Sequence, residues 1–169
     1  MIANWIRRRG TAISSTWVKW ILNFYAPFRG AGISIAEISE DFLYARVEMP
    51  LTWYNANYVG TQFGGSMYAM TDPFYMLLLM QNLGPDYIVW DKAASIDFIK
   101  PGKSRLIVEF RWTKQDIEAI RAQANDGEKH FYDREIEIRD ETGLLVAKVV
   151  KTLYVRKKDL ASSKQSKSN

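Results

Sequence analysis

Hydrophobic and polar positions change period several times along the chain. Within residues 2–25, Ile6, Ile13, Trp17, Trp20, Ile21 and Phe24 fall on one side at helical spacing, which predicts an amphipathic helix. Pro27 and Gly30 are expected to end it. From residue 31 the pattern becomes strand-like, with β-rich runs at 33–39 and 42–49 joined by Glu40-Asp41 as a hairpin. A polar loop follows Pro50. Gly64-Gly65 then opens an apolar segment that continues to Asn82, too long for a strand and without alternation, so it reads as a buried helix stopped by Gly84-Pro85-Asp86. Pro73 inside it is expected to bend its axis near Asp72.

Three further strands are expected at 88–100, 105–112 and 132–140. In the last, Asp133, Glu135, Glu137 and Arg139 face one way and Ile136 and Ile138 the other. Thr113 and Asp116 have capping-box spacing and start a short helix that turns Ile117, Ile120 and Ala124 inward. Asp140 to Gly143 is a turn into a long final strand at 144–156.

The order is helix, two strands, one apolar helix, then about four antiparallel strands, which is an α+β pattern. A helix that is apolar nearly all round must be wrapped on most sides. One antiparallel sheet curled around one central helix meets that demand, and this arrangement is the hotdog fold. The expected organisation is an N-terminal amphipathic helical extension at 1–29, a hotdog domain at 30–157 and a disordered, basic tail rich in serine and lysine at 158–169.

Composition removes several kinds of chemistry. The chain has 169 residues, 47% of them hydrophobic, enough for one domain with a core. It has no cysteine, so disulfides, cysteine nucleophiles and thiolate metal sites are excluded. His130 is the single histidine, which excludes a multi-histidine metal centre, and its place in a polar loop reads as surface. The run from Phe74 to Met80 is far short of the ~20 residues that span a bilayer.

The net charge of +4 conceals a polarity. Residues 1–30 carry Arg7, Arg8, Arg9, Lys19 and Arg29 and no acid, and residues 156–169 are also basic, so the stretch between them is acidic. Basic ends on an acidic body do not resemble a nucleic-acid-binding domain, whose basic stripe lies on the folded core. They fit solubility or attraction to a membrane surface, and docking of the N-terminal helix on the core is the favoured reading over an interfacial helix. With no cysteine and no clean export signal, the cytoplasm is the expected compartment.

The densest unusual stretch is Asn57-Tyr58-Val59-Gly60-Thr61-Gln62-Phe63-Gly64-Gly65, followed by Asp72 in the apolar segment. Glycines where a loop becomes a helix allow close backbone approach, and free N–H groups there can stabilise an oxyanion. Asp72 lies seven residues after Gly65, which in a continuous helix returns it to the azimuth of those glycines. A carboxylate among apolar neighbours needs either a hydrogen-bonded anchoring role or a functional one. Met67, Met70, Met76 and Met80 suit either an acyl tunnel or plain core filling.

This stretch resembles the signature of hotdog thioesterases of the phenylacetyl-CoA type, in which an asparagine and a glycine precede His-Gly-Gly and an aspartate follows on the central helix. Asn57, Gly60, Phe63-Gly64-Gly65 and Asp72 fall on those positions. Ile96 to Gly102 is similar to the family's strand ending in a Phe-x-Arg/Lys-Pro turn. Over roughly residues 30–156 the chain resembles a hotdog branch catalogued as a domain of unknown function and labelled a tetrameric acyl-CoA thioesterase.

The resemblance implies hydrolysis of an acyl-CoA or related thioester, with Asp72 as general base or nucleophile and the Gly64 N–H as oxyanion donor. It implies that Asn57 and Gln62 position water or the carbonyl, that Phe63 and Gly65 line the substrate, and that Lys100 and Lys103 stand near coenzyme A phosphates. It further implies a homodimer or homotetramer, with no metal and no redox cofactor. Phe63 replaces the motif histidine and cannot hydrogen-bond. That departure leaves open a second class, a non-catalytic acyl- or lipid-binding hotdog protein.

Overall fold

A computed structural model describes residues 13–158; the first half of the expected N-terminal helix and the basic tail lie outside the described residues. Six strands form one sheet: β1 (Ser34–Ile38), β2 (Tyr44–Met49), β3 (Tyr87–Phe98), β4 (Leu106–Arg111), β5 (His130–Asp140) and β6 (Leu145–Lys157). Their order is β1-β2-β4-β5-β6-β3, and every neighbouring pair is antiparallel. Alternation assigns the faces. Ala45, Val47 and Met49 of β2, Val108 and Phe110 of β4, and Ile136 and Ile138 of β5 are buried, whereas Glu109 and Arg111 of β4 are exposed on the other face.

The wrapped helix is in two pieces, α3 (Gly64–Ala69) and α4 (Phe74–Leu83). This corrects the expectation of one bent helix from Gly64 to Asn82. Pro73 has no N–H to continue the helical ladder, so it becomes the N-cap of α4, where its carbonyl accepts from Leu77 N–H at 2.8 Å. Thr71, Asp72 and Pro73 therefore form a short non-helical link, with a cis peptide between Asp72 and Pro73. Phe74 anchors the start of α4, stacked between Phe28 and Phe110 with ring centroids 6.0 and 5.0 Å away. Met67 and Met70 are core residues, with Met76 and Met80 packed against that core.

The capping box on α5 (Lys114–Gln123) is present as expected, with Thr113 and Asp116 bonding each other's backbone N–H groups. Arg121 on α5 donates to Asn82 O and Leu83 O, satisfying carbonyls at the C-terminal end of α4, where a cation also suits the helix dipole. His130 lies away from the glycine stretch, its Nε2 2.9 Å from an Asp126 carboxylate oxygen.

At the N-terminus, α1 (Ser15–Asn23) is followed by a second helix, α2 (Ala26–Ala31). Pro27 therefore sits in the first turn of α2 rather than ending one long helix, a position where its missing N–H costs nothing. The helix docks on the sheet, but with a different face from the expected one. Val18 and Ser15 are buried, whereas Trp17, Trp20 and Phe24 are exposed. The docking chemistry is polar. Asn23 pairs with both backbone groups of Ile35, accepting from its N–H at 2.8 Å and donating to its carbonyl at 3.2 Å, and Lys19 Nζ donates to Ala36 O at 2.6 Å. These bonds cap the outer edge of β1. The opposite sheet edge, β3, has no second strand partner among the described residues.

Candidate functional site

The glycine stretch is held by its own side chains. Asn57 Oδ1 accepts from Val59 N–H and Thr61 N–H, while its Nδ2 donates to Thr61 Oγ1 and Gln62 O. Its amide is thus engaged in closing the 57–62 turn. Gln62 is 1% exposed and donates from Nε2 to Met49 O and Ser104 O, and its backbone N–H donates to Gly102 O at 2.8 Å. Those bonds bring together the two segments singled out from the sequence, the glycine stretch and the Pro101-Gly102 turn. Lys100 and Lys103 are exposed on that turn. Gly102 packs closely against the Gln62 side chain: a Cβ there would stand 3.0 Å from Gln62 Cγ.

Phe63 is the N-cap residue of α3, with Gly64 and Gly65 opening its first turn, where backbone N–H groups have no intrahelical acceptor. Two half-exposed aromatic rings flank these glycines. A Cβ on Gly64 would lie 2.9 Å from the Phe98 ring, and one on Gly65 would lie 2.5 Å from the Phe63 ring. Absence of side chains is what lets both rings lie against the backbone.

Asp72 lies in the link between α3 and α4, its side chain half exposed. Lys151 Nζ donates to Asp72 Oδ1 and to Asp91 Oδ2, both at 2.6 Å. The Lys151 side chain is 1% exposed, and its ammonium stands 5.4 Å from the centre of the Tyr68 ring. Burial works against ionisation of Asp72, but hydrogen bonds with Asp91 and Lys151 and the lysine charge outweigh it, so its carboxyl is held below the ordinary range. Asp91 goes the other way. Burial, then the hydrogen bond it shares with Asp72, push it up to about 6 against the pull of Lys151. Lys151 is raised, because its two carboxylate bonds overcome its burial. The pair of acids has one site held anionic and one poised to exchange a proton near neutrality.

Asp91 and Lys151 were not among the residues expected from the sequence. The signal was parity. Val149, Lys151, Leu153 and Val155 are successive inward positions of β6, and Tyr87, Val89 and Asp91 are successive inward positions of β3. A lysine and an aspartate at core parity on adjacent strands require each other.

Asp72 and Gly64 do not meet within one chain. Asp72 follows the six-residue helix Gly64–Ala69, which alone spans about 9 Å. The sheet agrees: Phe98, which covers Gly64, lies four ladder positions from Ala94, the partner of Lys151, or about 13 Å of strand.

Residues 14–155 match the family described as a domain of unknown function, DUF4442. No functionally curated protein matches the chain. Among solved structures, a Pseudomonas aeruginosa protein of unknown function described as a probable thioesterase is 19% identical, with a TM-score of 0.78 over 89% of this chain and 100% of that one. A Haemophilus influenzae thioesterase is 16% identical, with a TM-score of 0.63 over 87% of this chain and 93% of its own. The Escherichia coli PaaI protein of the phenylacetic acid degradation operon is 19% identical, with a TM-score of 0.56 over 86% and 94% of the two chains. At these identities the likeness establishes the hotdog fold.

Proposed function

We propose that this chain, which belongs to the DUF4442 family and has the hotdog fold, hydrolyses acyl thioesters of the acyl-CoA kind in a site shared by two copies. The observation that carries the reading is Asp72: a half-exposed carboxylate kept anionic by a buried lysine, one link after a glycine-opened helix. The thioesterase descriptions of structural neighbours support the same reaction class.

Antiparallel pairing of two β3 edges would lay the Gly64-to-Asp72 segments of two copies side by side in opposite directions. Gly64 of one copy then approaches Asp72 of the other, which removes the separation within one chain. In that site the Gly64 N–H holds the thioester oxygen. The Asp72 carboxylate takes a proton from water as the water oxygen adds to the carbonyl carbon. Collapse of the tetrahedral oxyanion breaks the C–S bond, and the thiolate receives the proton from Asp72, leaving a carboxylic acid and a thiol. Direct attack by Asp72, through an anhydride that water then opens, uses the same residues. Asn57 and Gln62 keep the loop in shape, Phe63 and Gly65 border the acyl group, and Lys100 and Lys103 meet the phosphates of the carrier. The reaction needs no cofactor.

A second reading is favoured by Phe63, whose ring stands against Gly65 where the motif histidine would be: the protein binds acyl thioesters or lipids without cleaving them. One experiment separates the two. Free thiol release is measured over a panel of acyl-CoAs for wild type and Asp72→Asn. Hydrolysis that falls by about 10²–10⁴-fold in the variant supports the enzyme. Hydrolysis equal in both removes Asp72 from the mechanism, and saturable binding with no turnover in either supports the binding protein.

A further inference from the structure

The ion cluster around Lys151 opens to water at one end. Side-chain exposure falls from 50% at Asp72 through 17% at Asp91 to 1% at Lys151. Lys151 faces Ala94 in the strand register, and Asp91 faces Leu153, the next inward position of β6. From there Asp91 Oδ2 accepts from Lys151 Nζ at 2.6 Å, as Asp72 Oδ1 does from the link between α3 and α4. Asp91 also shares a hydrogen bond with Asp72, and its Oδ1 is buried with no hydrogen-bond donor among the described residues. Two carboxyl groups hydrogen-bond only with a proton between them, and a proton on Asp91 supplies it. Nearby elements add little charge. The Tyr68 ring of α3 lies 5.4 Å from the ammonium, and Tyr75, the titratable residue of α4, turns its ring to Phe110 and Trp112.

Stability alone does not account for such a cluster, because well-packed apolar side chains of similar volume hold a fold at least as well. Its open end is Asp72, the carboxylate that takes a proton from water in the hydrolysis reading. Asp91 reaches that carboxylate by two routes, their shared hydrogen bond and their shared lysine. While Asp91 carries its proton, it donates to Asp72 and leaves Asp72 the undivided charge of Lys151, so Asp72 is a weak base. Once Asp91 ionises, that donor is gone, a second negative charge stands beside Asp72, and the lysine is divided between them. Asp72 then holds a proton more strongly and draws one from water more readily. Resting on the hydrolysis reading, we propose that Asp91 is a positioning residue of the reaction, setting the basicity of Asp72 through their hydrogen bond and the lysine they share.

The test measures kcat for thiol release at saturating acyl-CoA, from about pH 5 to about pH 8, with the full chain. Asp91 is pushed up to about 6, so kcat of wild type should rise through that pH. Asp72 is held below the ordinary carboxylate range and gives no step there. Asp91→Asn keeps a neutral amide donor at every pH. Its kcat should stay on the acidic plateau of wild type, about tenfold below wild type at the alkaline end, with a cooperative melt. Asp91→Glu restores an ionising group and should restore a step at a displaced pH. A merely structural role for Asp91 would lower kcat alike at every pH and leave the step in place. A flat wild-type profile through about pH 6, or an Asp91→Asn protein that keeps the rise, overturns the role of Asp91 and leaves hydrolysis standing. Where Asp91→Asn does not melt cooperatively, Asp91→Glu decides: a displaced step supports the role and an unmoved one overturns it. A wild type that releases no thiol from any acyl-CoA overturns hydrolysis and the role of Asp91 together.

Discussion

Lys151 Nζ stands 2.6 Å from Asp72 Oδ1 and, at the same distance, from Asp91 Oδ2, so one buried cation serves two acids on different elements. Removing the cation alone leaves Asp91 buried, without its counter-charge, beside a second carboxylate. Lys151→Met is therefore expected to lower stability by about 3 kcal/mol, the lower end of the range for breaking a buried pair because Asp72 is half exposed. Neutralising all three, as Asp72→Asn/Asp91→Asn/Lys151→Met, is expected to recover most of that loss. Chemical denaturation of both variants is the measurement. A Lys151→Met protein as stable as wild type would mean that the cluster does not support the fold.

The two acids differ in how they respond to pH. Asp91 is raised from 3.8 to about 6 in the folded protein, so its contribution to stability is present below about pH 4 and is lost as pH rises to about 6. Asp72 is lowered, so its contribution is present above about pH 4 and is lost as pH falls through its folded value. Relative to Asp91→Asn, wild type is expected to lose stability between pH 4 and pH 6 and to level off above. Melting temperatures across that range test this. Parallel curves for the two proteins would remove the shift at Asp91.

Strand positions and faces were legible in the sequence because β5 and β2 alternate cleanly, and a run as apolar as Phe74 to Met80 had to be wrapped. The break at Thr71 to Pro73 was harder to read: a proline in a helical pattern signals either a kink or a restart, and only the packing of Phe74 between Phe28 and Phe110 fixes the restart. The docked face of α1 is not legible for a related reason. Periodicity finds the aromatic stripe of Trp17, Trp20 and Phe24 but says nothing of what it faces, and docking followed the match between the Asn23 amide and the edge of β1. At the site, the glycine stretch and Asp72 stood out by spacing. Lys151 and Asp91 do not stand out in the same way, because a charged residue at core parity is visible only once the strand register places its partner beside it.

Gly64 is expected to tolerate bulk in the fold and not in the reaction. The nearest atoms that a Cβ there would meet belong to the Phe98 ring, at 2.9 Å, and that ring is half exposed and can swing aside. Gly64→Val should therefore keep a cooperative melt and lose turnover, because the added methyl groups crowd the N–H that holds the thioester oxygen. Gly64→Val/Phe98→Ala tells a displaced ring from a blocked donor. If turnover returns in the double variant, Phe98 was the obstacle; if it stays lost, the N–H itself is the working group. Unchanged kinetics in Gly64→Val would move the oxyanion donor elsewhere.

The separation of Gly64 and Asp72 within one chain leads to a stronger test. β3 is a twelve-residue edge strand whose middle, Lys92 to Ser95, is exposed, and such edges pair with a second chain. Light scattering should give two or four chains. Ala93→Glu/Ser95→Glu, which sets like charges across a two-fold axis, should lower that mass and turnover together. If each site takes Asp72 from one copy and Gly64 from the other, Asp72→Asn and Gly64→Val proteins should each be nearly inactive. Mixed under conditions that exchange subunits, half the dimers then hold one chain of each kind. In such a dimer one site carries both substitutions and the other carries neither. Recovery should approach about one-quarter of wild-type turnover, the value random pairing of a two-fold assembly gives. If both groups act from the same chain, every site in the mixture carries one substitution and nothing is recovered. No recovery from a mixture shown by mass to contain mixed dimers would therefore return the site to a single chain and remove the argument for pairing as a condition of activity.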